Sequence, residues 1–289
     1  MEPTVPTGCE YTDNAVMFSG FKTSLGLGDR MKIYEQKGLE VFKLDPIQPI
    51  IVRVDGKKFS SFTRSFEKPY DKRITTAMKC TCIDLMHEFH PQTIYSQSDE
   101  ISLVFYNMDE KSEPFAGGRA TKIATLVASY CAVRFNYHLN DQIKISEFNS
   151  DDDTIKKIQS NVAYFDGRAF NLPSYEVLNY IVWRSNYDAR RNSILNYSRS
   201  FFSDREMHGK KTPELCEMLI VIDKPWKDLP MELRLGFFVK KIIKQHQMIH
   251  PKTGEIITVK RNEYNILTRE ITHYIEEDHQ WLLAKTVDC

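Results

Sequence analysis

The feature that most constrains this 289-residue chain is the order in which its hydrophobic period switches between residues 49 and 170. Pro49-Ile50-Ile51-Val52-Arg53-Val54 is a short β-rich run closed by Asp55-Gly56, which reads as a buried strand ending in a turn. From Tyr70 to Phe89, the residues Ile74, Met78, Leu85, Met86 and Phe89 recur at helical spacing. Thr93–Gln97 and Ile101–Phe105 read as two strands of a hairpin around the polar Ser98-Asp99-Glu100. After Gly117-Gly118, Ile123, Leu126, Val127, Tyr130, Val133 and Tyr137 mark a second long helix, and Val162–Phe170 returns as a strand interrupted by Asp166-Gly167. Strand, helix, hairpin, helix, strand is the split β-α-β order. It specifies an α+β fold with an antiparallel sheet and both helices on one face.

Beyond this unit, residues 174–202 read as a long helix, and Thr212-Pro213 opens another with a cap-then-proline start. Phe237–Ile243 and Ile256–Lys260, joined by Pro251-Lys252-Thr253-Gly254, predict a C-terminal β-hairpin. The expected organisation is an N-terminal arm (1–27), a core domain (28–173), and C-terminal helices with a hairpin packed on it (174–289). Hydrophobic residues make up 42% and Gly plus Pro only 24 positions, which excludes low-complexity disorder. No apolar run approaches the ~18–20 residues of a membrane span, and Met1–Pro6 lacks a signal pattern, so a soluble, cytoplasmic protein with no membrane partner is expected. The six cysteines show no disulfide-framework or zinc spacing and suit a reducing compartment. His87/His90 and His246/His250 read as helix-end and hairpin histidines rather than metal ligands.

Charge is unevenly distributed. The whole chain is neutral, 39 basic against 39 acidic residues, yet residues 183–262 carry 16 basic against 9 acidic. That stretch also holds Trp183, Tyr187, Tyr197, Phe201 and Phe202, which makes it the place to look for a polyanion. The chemistry-bearing pair lies earlier. Asp55 ends the first strand beside Gly56, and Asp99 sits at the hairpin tip, so both can emerge at one sheet edge. Converging carboxylates suit Mg²⁺, and two such ions serve phosphoryl displacement. Lys57, Lys58 and Lys68 lie close in sequence; Arg119 and Lys122, three apart near a helix N-terminus, would welcome a triphosphate. An ordinary Asp-Gly turn and hairpin tip stay open on spacing alone.

Arg53-Val54-Asp55-Gly56-Lys57-Lys58-Phe59, Lys68-Pro69-Tyr70-Asp71, Gln97-Ser98-Asp99-Glu100-Ile101-Ser102, Arg119-x-x-Lys122, Phe165-Asp166-Gly167-Arg168 and Leu229-Pro230-Met231 together resemble the tRNA-His guanylyltransferases and their relatives, the 3′-to-5′ polymerases, over about residues 28–245. The resemblance implies a polymerase-palm-like domain. It implies two Mg²⁺ held by Asp55, the Gly56 carbonyl and Asp99, with ATP or GTP as substrates. The Asp55–Ser60 loop, including Phe59 and Ser60, would cradle a triphosphate with Ser98, while Lys68, Arg119 and Lys122 neutralise phosphate. A 5′-truncated or 5′-monophosphorylated tRNA would be the partner and a homotetramer the assembly.

One departure is informative. Where the tRNA-His branch carries His-Ile-Asn-Asn, this chain reads Asp188-Ala189-Arg190-Arg191-Asn192-Ser193. With His208-Gly209-Lys210, this resembles the branch that repairs or edits tRNA 5′ ends. Asn192 and Lys210 become candidates for the substrate 5′ phosphate or the activating nucleotide, and Arg190 and Arg191 for the tRNA backbone. The alternatives are G addition at position −1 of tRNA-His, a cyclase-like enzyme, and a non-catalytic RNA-binding module.

Overall fold

The computed structural model describes Lys32 and residues 43–106, 114–145, 152–249, 251–252, 254–273 and 275–288; the expected arm 1–27 lies outside the described residues. The central unit follows the expected order: β1 (Ile50–Gly56), α1 (Lys72–Phe89), β2 (Thr93–Gln97), β3 (Glu100–Phe105), α2 (Ala120–Ile145), α3 (Asp152–Gln159) and β4 (Phe165–Asn171). Asp71 caps α1, accepting from the Arg73 amide at 2.9 Å, and its carboxylate pairs with the buried Arg73 guanidinium at 2.6 Å. With β5 (Phe237–Ile249) and β6 (Ile256–Leu267) from the C-terminal part, the strands lie in the order β4-β1-β3-β2-β5-β6, every neighbour antiparallel. Asp166-Gly167 does not interrupt β4, because both residues stay in register, opposite Asp55 and Val54.

α1 and α2 cover one face. Val52, Val54, Ile101 and Leu103 of the sheet meet Met78 and Leu85 of α1 and Val127 and Phe135 of α2. The buried stripe of α2 is Ile123, Ala124, Val127, Ala128, Cys131, Phe135 and Leu139, while Leu126, Val133 and Tyr137 of the expected apolar set are exposed. Small residues decide which face turns inward. A Cβ built on Gly167 would stand 2.7 Å from the Ala124 carbonyl oxygen and 3.2 Å from the Ala128 side chain, so α2 approaches β4 closely only through its Ala face.

The C-terminal elements cover the other face. α4 (Ser174–Val182) and α5 (Arg190–Ser198) are joined by π-helical turns over Trp183–Ala189, so the expected long helix ends at Ser198 and is wound differently in its middle. Val177 and Ile181 of α4 and Leu282 of α7 (Glu276–Leu283) pack on Ile51, Tyr95, Val104 and Phe238. Between α5 and β5, α6 (Thr212–Val221) buries Leu215 and Leu219 against Ile194, Tyr197 and Trp226. The expected hairpin is longer than its sequence signal: β5 (Phe237–Ile249) and β6 (Ile256–Leu267) pair from Phe238↔Leu267 to Ile249↔Ile256. β5 also pairs with β2, so the hairpin extends the central sheet rather than only packing on it.

Lys240 ties the two parts together. It is fully buried in β5, and its ammonium donates to Thr93 Oγ1 (2.8 Å) and to the carbonyl oxygens of Gln92 (3.0 Å), Trp281 (2.8 Å) and Ala284 (2.8 Å). Burial lowers its pKa to about 7. No helix among the described residues is long and apolar enough to cross a membrane.

Candidate active site

The two aspartates arrive from different directions at one point. β1 carries Asp55 to its C-terminal end, and the β2–β3 turn presents Asp99, whose backbone carbonyl accepts from the Gly56 amide at 3.1 Å. A Cβ on Gly56 would stand 2.6 Å from the Phe59 ring and 2.9 Å from Asp99 Oδ2, so glycine is required for this approach. Burial, and then the Asp55 charge, hold the Asp99 carboxyl up to about 6, against hydrogen bonds from its own amide and the Ser98 side chain.

Beneath the pair runs a chain of charge. Arg53 Nη2 bridges Asp55 Oδ2 (3.1 Å) and Glu100 Oε2 (2.6 Å), because Asp55 and Glu100 are register partners across β1 and β3. Arg184 takes the other Glu100 oxygen at 2.6 Å and Asp188 Oδ2 at 2.5 Å, and Arg191 reaches Asp188 Oδ1 at 3.2 Å. Burial, followed by the nearby Arg53 charge, lowers the Arg184 pKa. Glu100 and Asp188 are thus consumed by arginines, whereas Asp99 has no cation within ion-pair distance among the described residues. Two hard carboxylates with the Gly56 carbonyl suit Mg²⁺, which takes one or two carboxylates and completes its shell with water and phosphate. Among the described residues no cluster of three His, Cys, Asp or Glu side chains exists that would hold a metal without such help. Asp166, opposite Asp55 in register, is exposed and lies 3.4 Å from Arg168.

Two cavities adjoin at Asp99. The first, about 340 Å³, opens beside Asp55 and is walled by Arg184, Asp188, Arg191 and Asn192. The second, about 570 Å³, is floored by Gly56, Lys58, Phe59 and Ser60, with Lys68 on its far side. Ser98, Asp99, Asn196 and Arg199 line both. Phosphates of two substrates could therefore meet at one carboxylate.

The family model described as tRNAHis guanylyltransferase matches residues 28–173, the segment that builds β1 to β4 and both aspartates. The chain belongs to this family. Its members are nucleotidyltransferases. The tRNA(His) guanylyltransferase of Schizosaccharomyces pombe is 31% identical over 161 residues, covering 53% of this chain and 55% of that enzyme, so the match spans about half of the fission-yeast protein. A bacterial tRNA(His) guanylyltransferase-like protein in complex with ATP superposes with a TM-score of 0.65 at 30% identity, over 75% of this chain and 87% of that one. Its counterpart in complex with GTP gives 0.64 at 28%, over 88% and 98%. The sequence resemblance to this family and the α+β palm-like sheet are both confirmed.

Not every family-motif residue reaches the site. Asp55, Ser98, Asp99, Arg191 and Asn192 line the first cavity; Gly56, Lys58, Phe59, Ser60, Lys68, Ser98 and Asp99 line the second. Lys68 Nζ donates to the Thr63 carbonyl at 3.0 Å. Lys57 lines neither cavity, and its amide donates to the Tyr164 carbonyl. Arg190 lies over the Trp226 ring at 5.5 Å, and Lys210 lies 3.7 Å from Glu214, outside both cavities.

Arg119 and Lys122 do not join the aspartates within this chain. Arg119 bridges to Lys43, and Gly118 accepts from the Leu44 amide, next to the Ile50 end of β1. The five residue steps from Ile50 to Asp55, at about 3.3 Å each, put that end roughly 17 Å from Asp55. The residues that sequence reasoning did not assign are Arg184, Asn196 and Arg199. They share no local motif; the π-helical turns and the helix after them carry them to the cavity.

Proposed function

We propose that this enzyme adds nucleotides in the 3′-to-5′ direction to the 5′ end of tRNA, in the manner of the repair and editing branch. The single observation that carries the reading is the pair of adjoining cavities meeting at Asp99, one framed by the Gly56–Ser60 loop and one by the arginine- and asparagine-bearing helix. Asp55, Asp99 and the Gly56 carbonyl would hold Mg²⁺, which when bound withdraws charge from the reacting phosphates. The Gly56–Ser60 loop, Ser98 and Lys68 would seat the triphosphate of ATP or GTP, the ligands of the two bacterial neighbours. Asn192, Arg191 and Arg199 would orient the RNA 5′ phosphate. An oxygen of that phosphate attacks the α-phosphorus of the activating triphosphate, and pyrophosphate leaves. The 3′-hydroxyl oxygen of the incoming nucleotide then attacks the activated 5′ phosphorus, and the nucleoside monophosphate leaves.

The Asp188–Ser193 stretch, in place of His-Ile-Asn-Asn, supports repair over a dedicated tRNA-His enzyme. The second reading, G addition at position −1 of tRNA-His, is supported by the fission-yeast relative. Membership in a nucleotidyltransferase family removes the non-catalytic RNA-binding reading. The test uses 5′-monophosphorylated tRNA lacking its first nucleotide, tRNA-His and a non-His tRNA in parallel, with ATP, GTP and Mg²⁺. Extension of both, stopping when the acceptor stem is fully paired, is expected. Addition to tRNA-His alone would overturn the repair reading, and addition to neither would overturn 3′-to-5′ extension itself.

A further inference from the structure

Polar side chains wall the first cavity, but the helix that supplies them carries a second feature outside it. Trp183 and Tyr187 stand four residues apart in the π-helical turns and are 49% and 58% exposed. Tyr175, two helical turns before Trp183, is 69% exposed, so the three aromatics fall on one outward face of the α4–π stretch. Soluble proteins rarely leave several large aromatics exposed together without a partner for them.

The surroundings identify the partner's chemistry. Trp183 lies against the Tyr180 ring at 6.1 Å and under the Arg184 guanidinium at 4.9 Å. Arg184 binds Glu100, which binds Arg53, which binds Asp55, so the exposed Trp183 ring is three ion-pair steps from the reacting centre. The Tyr187 ring leans on His273 at 5.9 Å. Two largely exposed cations flank the same helix and sheet edge: Arg191, on the cavity wall, and Arg168, register partner of Arg53 on the edge strand β4. Exposed rings beside cations, continuous with a phosphate-handling cavity, are the elements with which proteins hold unpaired nucleotides: bases stack on the rings while the backbone tracks positive charge.

We infer that Trp183 and Tyr187 form a stacking platform for unpaired bases of the RNA strand entering the first cavity. This rests on the reading of the protein as an enzyme acting on RNA and adds to it the element that grips the strand outside the reacting phosphates. The platform tolerates any base, since every base offers a π-face. Such a grip suits an enzyme extending RNA ends of varied sequence.

The experiment measures tRNA affinity, with a substrate carrying unpaired nucleotides at the acceptor end, for wild type, Trp183→Ala, Trp183→Phe, Tyr187→Ala and the double alanine variant. GTP affinity, thermal stability and sedimentation are measured alongside. Each alanine substitution is expected to weaken RNA binding about 5- to 150-fold, the span of base–aromatic stacking. Trp183→Phe should recover most of the loss, with GTP binding and sedimentation unchanged. Quenching of Trp183 fluorescence on RNA addition, absent in Trp183→Phe, is the direct signature. Unchanged RNA affinity in the double variant, while wild type extends RNA, overturns the platform and leaves the proposed function standing. A change of oligomeric state in the alanine variants would identify the surface as a contact between copies of this chain and also overturn the platform. A wild type that neither binds nor extends RNA would defeat the proposed function instead.

Discussion

Asp99 offers a test that separates the cost of the site from its use. Its carboxyl is held up to about 6 rather than its ordinary 3.8, by burial first and the Asp55 charge second. The sign follows from proton counting. Between pH 3.8 and 6 the folded chain binds the proton that the unfolded chain has released. The contribution of this group to stability is therefore complete below pH 3.8 and is lost as pH rises through 6. A gap of about two pKa units corresponds to about 3 kcal/mol at 1.36 kcal/mol per unit. Asp99 keeps part of its surface in water, which lowers the figure to about 2 kcal/mol.

Asp99→Asn removes the charge and keeps the shape. The metal-free variant should therefore be more stable than wild type at pH 7.5 by about 2 kcal/mol, or roughly 4–8 °C in Tm for a body of this size. The gap should close at pH 4, where wild type carries the proton. Added Mg²⁺ should stabilise wild type and leave the variant unchanged, and the variant should lose nucleotide addition. Denaturant melts with and without chelator at the two pH values measure all of this. Equal stability of the two proteins at pH 7.5, or an advantage for Asn that persists unchanged at pH 4, would refute the reasoning, since the aspartates would then not burden the metal-free fold.

Arg184→Met should destabilise the fold by about 2 kcal/mol in urea melts, because it leaves Glu100 with Arg53 alone and Asp188 with the exposed Arg191 alone; Arg184→Lys should recover less than half, lacking the fork that holds both carboxylates. Gly56→Ala, whose Cβ would meet Phe59 and Asp99 inside van der Waals contact, should lower kcat for nucleotide addition at least 100-fold while the circular dichroism spectrum is retained. Lys240→Met should cost about 3 kcal/mol at pH 6, where the ammonium is charged, by leaving three backbone carbonyls short of a donor; equilibrium unfolding measures it, and GTP affinity should stay within twofold. Arg119→Ala with Lys122→Ala should leave single-nucleotide binding to the isolated chain within twofold by calorimetry, because both residues stand at the start of α2, by the Ile50 end of β1, and line neither cavity at Asp99.

Which parts of this were legible in the sequence depended on the range over which each signal acts. Strand runs and helix repeats are local, so β1, α1, the β2–β3 hairpin and α2 sit where periodicity placed them, and the aspartates follow because each ends a strand or a turn. The buried face of α2 was read too broadly, because large apolar residues weigh most in a periodic pattern while the actual contact with β4 needs Ala and Gly. Arg184, Asn196 and Arg199 were invisible for another reason: helical winding sets their direction, and nothing local in Trp183–Ala189 announces a π turn. Arg119 and Lys122 are the instructive case. Their charge, spacing and helix-start position argued for phosphate, yet the hairpin already carried the contrary evidence. If the β2–β3 tip is at the site, β3 must run away from it. The helix that follows Phe105 within about fifteen residues must then begin near the far end of the sheet and run back toward the site, so that Phe135, well along α2, meets Phe59. Topology outweighed a favourable charge pattern, and any role these two cations have in the same reaction requires a second copy of the chain or a long polyanion that spans both ends of the sheet.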